Sequence, residues 1–71
     1  MGSMQFTIEL DREEDGRWIA DIPALNVLLY GDSKEDAVEK ARRAALEIIQ
    51  DRIRHGELPH EAANPVFAVA A

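Results

Sequence analysis

The residues of this chain that could bind a metal ion or take part in catalysis are two histidines, several carboxylates and Ser33. His55 and His60 stand near Glu57 and Glu61, but a metal site needs three or four ligands that converge on a framed element. These residues fall at the end of a predicted helix and in the loop after it, and the helix dipole alone satisfies His55. We therefore predict no metal site and no cofactor.

Catalytic arrangements are missing as well. Ser33, the one serine after an N-terminal Met1-Gly2-Ser3, is explained as a helix cap and has no neighbouring base. The glycines are isolated and form no phosphate-binding loop. A two-metal nuclease would need carboxylates on neighbouring strands, and Glu9 has no acidic counterpart in the last predicted strand, 65–70. We predict that the protein is not an enzyme, with no catalytic residue.

Length and composition narrow the class of protein. The 71 residues are enough for one small domain. Met1-Gly2-Ser3 is typical of an expression-tag remnant, so the predicted domain is 4–71. The chain has no cysteine, no signal peptide and no apolar run of the roughly 18 residues that a membrane span needs. These features favour a cytoplasmic protein that does not bind membranes.

The formal net charge of −6 comes from 14 acidic and 8 basic residues and indicates the kind of partner. Phosphate binding depends on clustered Lys and Arg, whereas the pairs Arg42-Arg43 and Arg52/Arg54 alternate with acids on one helix. We predict no direct contact with nucleic acid. An acidic domain suits a basic protein partner, because complementary potentials speed encounter. The alternative is that the acidic surface only interacts with solvent and has no partner.

Apolar and polar residues alternate in two stretches near the N-terminus, which predicts strands over 5–10 and 17–22. An acidic loop that ends at Gly16 joins them as a hairpin. Pro23 has no N–H to donate and ends the second strand.

A third predicted strand, Val27–Tyr30, is apolar on both faces, as in strands that are buried on both sides. It lies at the edge of a three-strand meander, where the outer face should meet water. Either a loop or the chain end covers it, or another chain does, and we favour another chain. The hypothetical interface consists of Val27, Leu28, Leu29, Tyr30 and Ile19.

Apolar residues recur at helical spacing from Lys34 to about Arg54, with Ser33 as N-cap and Gly56 as the stop. A connector and a fourth strand over 65–70 follow, and a helix between strands three and four requires a parallel, right-handed crossover. The predicted fold is therefore α+β, β-β-β-α-β, an antiparallel three-strand meander plus a parallel fourth strand in the order 3-2-1-4, with one helix on one face. Because so small a core supplies only about 3–5 kcal/mol, we expect at least a dimer.

The residues around the third strand carry a family resemblance. Asp15-Gly16 precedes Trp18-Ile19-Ala20-Asp21-Ile22-Pro23-Ala24-Leu25, and Gly31-Asp32-Ser33 precedes an acid-led helix with Ala37-Val38-Glu39-Lys40-Ala41. From Met4 to about Gln50 this order resembles the HicB family of type II antitoxins, which has a similar aromatic-x-Ala-x-x-Pro-x-Leu strand and a Gly-Asp-Ser/Thr helix start. Asn26-Val27 stands where the family usually has Gly-Cys.

The resemblance implies a partial RNase H-like domain that oligomerises and binds a small HicA-like ribonuclease toxin, whose RNA-cleaving site it covers sterically. The expected partners are this toxin and further copies of the chain. Family members generally also carry a C-terminal DNA-binding segment, which is not seen before Ala71, so we expect no DNA binding. The alternative is an orphan HicB-like scaffold or ligand-binding domain without a toxin.

Overall fold

The computed structural model describes residues 2–70, and its central feature is a four-stranded sheet with a long helix on one side. The elements in chain order are β1 (Met4–Arg12), β2 (Trp18–Ile22), β3 (Val27–Gly31), α1 (Lys34–Arg54) and β4 (Pro65–Ala70), with short 3-10 turns at Pro23–Leu25 and His60–Ala63. The sheet order is β3-β2-β1-β4, β4 runs parallel to β1, and the other pairs are antiparallel. The predicted α+β architecture is confirmed.

Two residues that the sequence analysis assigned, Met1 of the tag remnant and Ala71 at the end of the domain, lie outside the described residues. No helix within residues 2–70 is long and apolar enough to cross a bilayer.

The turns follow from residues that tolerate a left-handed backbone. Gly16 ends the β1–β2 hairpin loop with a φ of 94°. Asn26 links the Pro23–Leu25 turn to β3 with a φ of 57°, and its N–H donates to the Pro23 carbonyl. Asn is among the few non-glycine residues that enter this region readily. Asn26 therefore supplies the left-handed residue that this turn requires.

The core lies between α1 and one face of the sheet. Small alanines at helical spacing, Ala37, Ala41 and Ala45, are fully buried and allow α1 to lie close to the strands. Larger apolar side chains fill the remaining space, chiefly Phe6, Ile8, Ile22, Leu25 and Ile49. The helix packs mainly over β3 and β2.

The start of α1 is fixed beside the end of β3. The Ser33 hydroxyl accepts the Asp36 N–H at 3.0 Å, and the Asp36 carboxylate accepts the Asp32 N–H at 3.1 Å. The hydrogen bond from the Asp32 N–H lowers the pKa of Asp36 below its ordinary value, and a hydrogen bond from Lys40 contributes to a smaller extent. Gly31 is buried under this turn, where a Cβ would lie 2.7 Å from the Ala37 Cα. The glycine is therefore required by the close approach of strand and helix.

Candidate protein-binding surface

The face of the sheet opposite α1 carries a patch that mixes apolar and acidic side chains. Strands β1, β2 and β3 each contribute two residues, and the register aligns them in two rows, Glu9–Asp21–Leu28 and Asp11–Ile19–Tyr30. We call these six residues the open patch. Because side chains alternate along a strand, all six point away from the helix.

The apolar part of the open patch comes from three of the five predicted interface residues. Leu28 is 53% exposed and Tyr30 38% exposed, and half-buried Ile19 is the cross-strand partner of Tyr30. The other two residues point to the helix: Val27 belongs to the buried core and half-buried Leu29 packs against it. The structure thus brings Ile19, Leu28 and Tyr30 together and separates Val27 and Leu29 from them.

The acidic part of the open patch was not singled out as a surface from the sequence. Glu9 and Asp21 are direct cross-strand partners, an arrangement in which like charges destabilise a sheet. None of the ion pairs within residues 2–70 includes Glu9, Asp21 or Asp11. The patch therefore presents negative charge that no ion pair of the described part of the chain neutralises.

The rim of the open patch holds the Tyr30 ring in place. The Arg17 guanidinium lies 4.5 Å from the ring centroid, and the Tyr30 hydroxyl donates to Glu13 at 3.4 Å. Arg17 also pairs with Asp15 at 2.8 Å. The Arg17 N–H, more than its guanidinium, lowers the pKa of the Asp15 carboxyl. This aromatic side chain is thus positioned before any partner arrives, which reduces the entropy lost on binding.

The backbone of β3 adds a hydrogen-bonding edge to the open patch. The Glu13 N–H donates to the Arg17 carbonyl at 2.8 Å, and ladder bonds alternate along an antiparallel pair. This alternation, together with the register of β2 and β3, leaves the N–H and C=O of Leu28 and Tyr30 pointing outward. Lys40 reaches the Tyr30 carbonyl, with its Nζ at 3.5 Å.

The residues first considered for metal binding do not gather into a site. His55 caps α1, with its Nδ1 2.8 Å from the Asp51 carbonyl oxygen. His60 and Glu61 border a shallow, open depression of about 390 Å³ together with Gly2 and Asn64. Within residues 2–70, no three His or acidic side chains are placed so that they could hold a metal ion.

No family model, no curated protein and no solved structure matches this chain. The open patch, the sheet edges and the motif between Asp15 and Ala41 are the features that bear on what the protein does.

Proposed function

We propose that the protein is a HicB-like antitoxin domain that binds a small, basic, HicA-like ribonuclease toxin and blocks its RNA-cleaving site without catalysing a reaction. The observation that carries this proposal is the open patch, where exposed apolar side chains stand beside carboxylates that have no ion-pair partner among residues 2–70. A toxin that cleaves RNA acts in the cytoplasm, which is where we place the complex.

The mechanism follows from the chemistry of the two surfaces. A ribonuclease must attract phosphates with Lys and Arg, and Glu9, Asp11 and Asp21 offer the opposite charge. Binding a cation between Glu9 and Asp21 also relieves the repulsion between these cross-strand partners. Leu28 and Tyr30 then bury apolar surface beside the ion pairs, and an exposed tyrosine is a common anchor of protein interfaces.

The motif between Asp15 and Ala41 supports the family assignment in this proposal. Its proline ends β2, its Gly31-Asp32-Ser33 joins β3 to α1, and Ser33 caps the helix. The departure at Asn26 is conformationally mild, because the residue adopts the left-handed backbone that a glycine would adopt there. In this chain the residues that carry the resemblance thus have defined structural roles, as strand end, strand-to-helix junction and helix cap.

Co-expression with the toxin tests the proposal. A short, basic reading frame next to this gene is expected to be toxic alone, harmless with the wild-type protein, and to co-purify with it. Leu28→Lys and the double variant Glu9→Gln/Asp21→Asn are expected to lose both rescue and co-purification while remaining folded.

The matched control is Glu47→Gln, which removes the same type of charge from an exposed position on α1, outside the open patch. It is expected to rescue like the wild type. If the wild-type protein neither binds nor silences a basic neighbour, the antitoxin proposal is wrong and the orphan scaffold takes its place. Full rescue by both Leu28→Lys and the double variant would mean that the toxin binds outside the open patch.

A further inference from the structure

The second edge of the sheet, β4, is apolar throughout. Its residues, Pro65 to Ala70, include no charged or polar side chain, and Val66 and Val69 are 50% and 52% exposed. Edge strands are normally protected by charges, bulges or covering elements, because free backbone groups invite another strand. On β4 a proline at the first position is the only such feature.

The backbone of β4 offers two outward-facing residues for pairing. The Met4 N–H donates to the Asn64 carbonyl at 3.4 Å, and Phe6 lies opposite Phe67 in the parallel register. Because ladder bonds alternate along the strand, the even-numbered residues of β4 bond to β1. The N–H and C=O groups of Phe67 and Val69 therefore point away from the sheet.

Both faces of β4 have apolar surface left to bury. On the helix side, the Phe67 ring packs on Phe6 with centroids 6.0 Å apart, while Val69 is half exposed. The helix leaves this corner open because it packs mainly over β3 and β2. On the opposite face, Val66 is equally exposed.

We propose that β4 pairs with β4 of a second copy of this chain, antiparallel and about a two-fold axis at Ala68. Phe67 of one copy then lies opposite Val69 of the other, so that the outward N–H and C=O groups of both residues form ladder bonds. The two four-stranded sheets become one continuous sheet. Val66 and Val69 lose their exposure to water, which is the main driving force for the contact.

Charge favours this edge over the rest of the surface as the place where a second copy docks. Each chain carries a net charge of −6, so two copies repel least where they meet through a region without charge. The strand beside β4 places neutral Thr7 next to Ala68 and neutral Gln5 next to Val66. Glu9 lies only at the end of the seam. This dimer leaves β3 and the open patch free and does not depend on a toxin.

The mass of the isolated protein in solution, measured by sedimentation over a range of concentrations, tests this dimer. The wild type is expected to approach twice the monomer mass. Val69→Lys introduces a charge into the seam and is expected to restore the monomer mass. Leu28→Lys is the matched control, since Leu28 is 53% exposed at the opposite edge; it is expected to remain dimeric. A monomeric wild type, a folded dimeric Val69→Lys or a monomeric Leu28→Lys overturns the proposal.

A disulfide trap keeps the proposal testable if Val69→Lys fails to fold. The chain has no cysteine, and directly opposite residues that are not hydrogen-bonded have Cα atoms about 4.5 Å apart, within disulfide range. Ala68→Cys is therefore expected to form a covalent dimer under mild oxidation, and Leu28→Cys is expected to remain monomeric in denaturing electrophoresis. A disulfide at Leu28→Cys instead, or at neither position, overturns the proposed pairing.

Discussion

The two edges of this sheet differ in how they are protected. At β3, Lys40 reaches the Tyr30 carbonyl, Arg17 stacks on the Tyr30 ring, and carboxylates of the open patch lie on the neighbouring strands. At β4, no residue of the strand is charged, and its exposed valines face water on both sides.

This difference indicates two kinds of partner. An edge surrounded by charged side chains from neighbouring elements, as β3 is, selects a partner by electrostatic complementarity and repels an identical acidic copy. An uncharged edge adds no local repulsion between two acidic copies, so a second copy can approach there. Our two proposals follow this division: a basic toxin binds at β3 and the open patch, and a second copy of this chain pairs at β4.

The largest expected effect separates the two faces of β3. Leu29→Asp is expected to destabilise the domain by about 3 kcal/mol, because Leu29 packs against the core and an unpaired charge there is costly. Leu28→Asp, one residue away on the open face, is expected to stay within about 0.5 kcal/mol of the wild type. Urea unfolding at one fixed protein concentration measures both. Equal losses in the free energy of unfolding for the two variants would mean that Leu29 and Leu28 do not lie on a buried and an exposed face of β3.

The next effect concerns the junction between β3 and α1. Gly31→Ala is expected to cost about 2 kcal/mol, because its Cβ would lie 2.7 Å from the Ala37 Cα and the backbone must shift. Ala63→Ser adds bulk at an exposed position of the His60–Ala63 turn and is expected to change stability by less than about 0.5 kcal/mol. Thermal unfolding compares the two. A tolerated Gly31→Ala would show that β3 is not held tightly under the helix.

A smaller effect of opposite sign is expected in the open patch. Asp21→Asn removes the like-charge contact with Glu9 and is expected to stabilise the domain by about 0.2–1 kcal/mol, while weakening toxin rescue. Glu47→Gln on α1 is expected to alter neither property. Chemical unfolding and co-expression provide the two measurements. If Asp21→Asn is more stable and still rescues fully from the toxin, these carboxylates are not part of the binding surface.

The smallest effect is a dependence on pH at the helix start beside β3. The Asp32 N–H and Lys40 lower the pKa of Asp36 in the folded state. The resulting stabilisation is present above the ordinary carboxyl range and is lost as pH falls through the folded pKa. Asp36→Asn is therefore expected to lower the melting temperature slightly near neutral pH. In acid, the difference in melting temperature between the variant and the wild type is expected to become smaller. An equal gap at both pH values would contradict this role.

The sequence predicts the architecture well because its signals are local. Alternation locates β1 and β2, Pro23 and Ser33 mark boundaries, and a helix between β3 and β4 requires the parallel crossover that yields the observed order. The predicted helix, Lys34 to about Arg54, agrees with the structure at both ends.

The candidate site was less predictable because it depends on register and on helix placement. Both faces of β3 are apolar, so alternation alone could not show that Val27 and Leu29 face the helix. The pairing of Glu9 with Asp21 depends on the hairpin register, which a loop of several charged residues does not specify. The exposure of β4 arises because the helix packs mainly over β3 and β2.

Amide hydrogen exchange at low and high protein concentration tests most directly whether the two edges have separate partners. The outward-facing amides of Phe67 and Val69 are expected to become protected as concentration rises. The outward-facing amides of Leu28 and Tyr30 are predicted to keep exchanging at an unchanged rate until a basic toxin is added. Protection of Leu28 and Tyr30 by concentration alone, with no change at Phe67 and Val69, would contradict it.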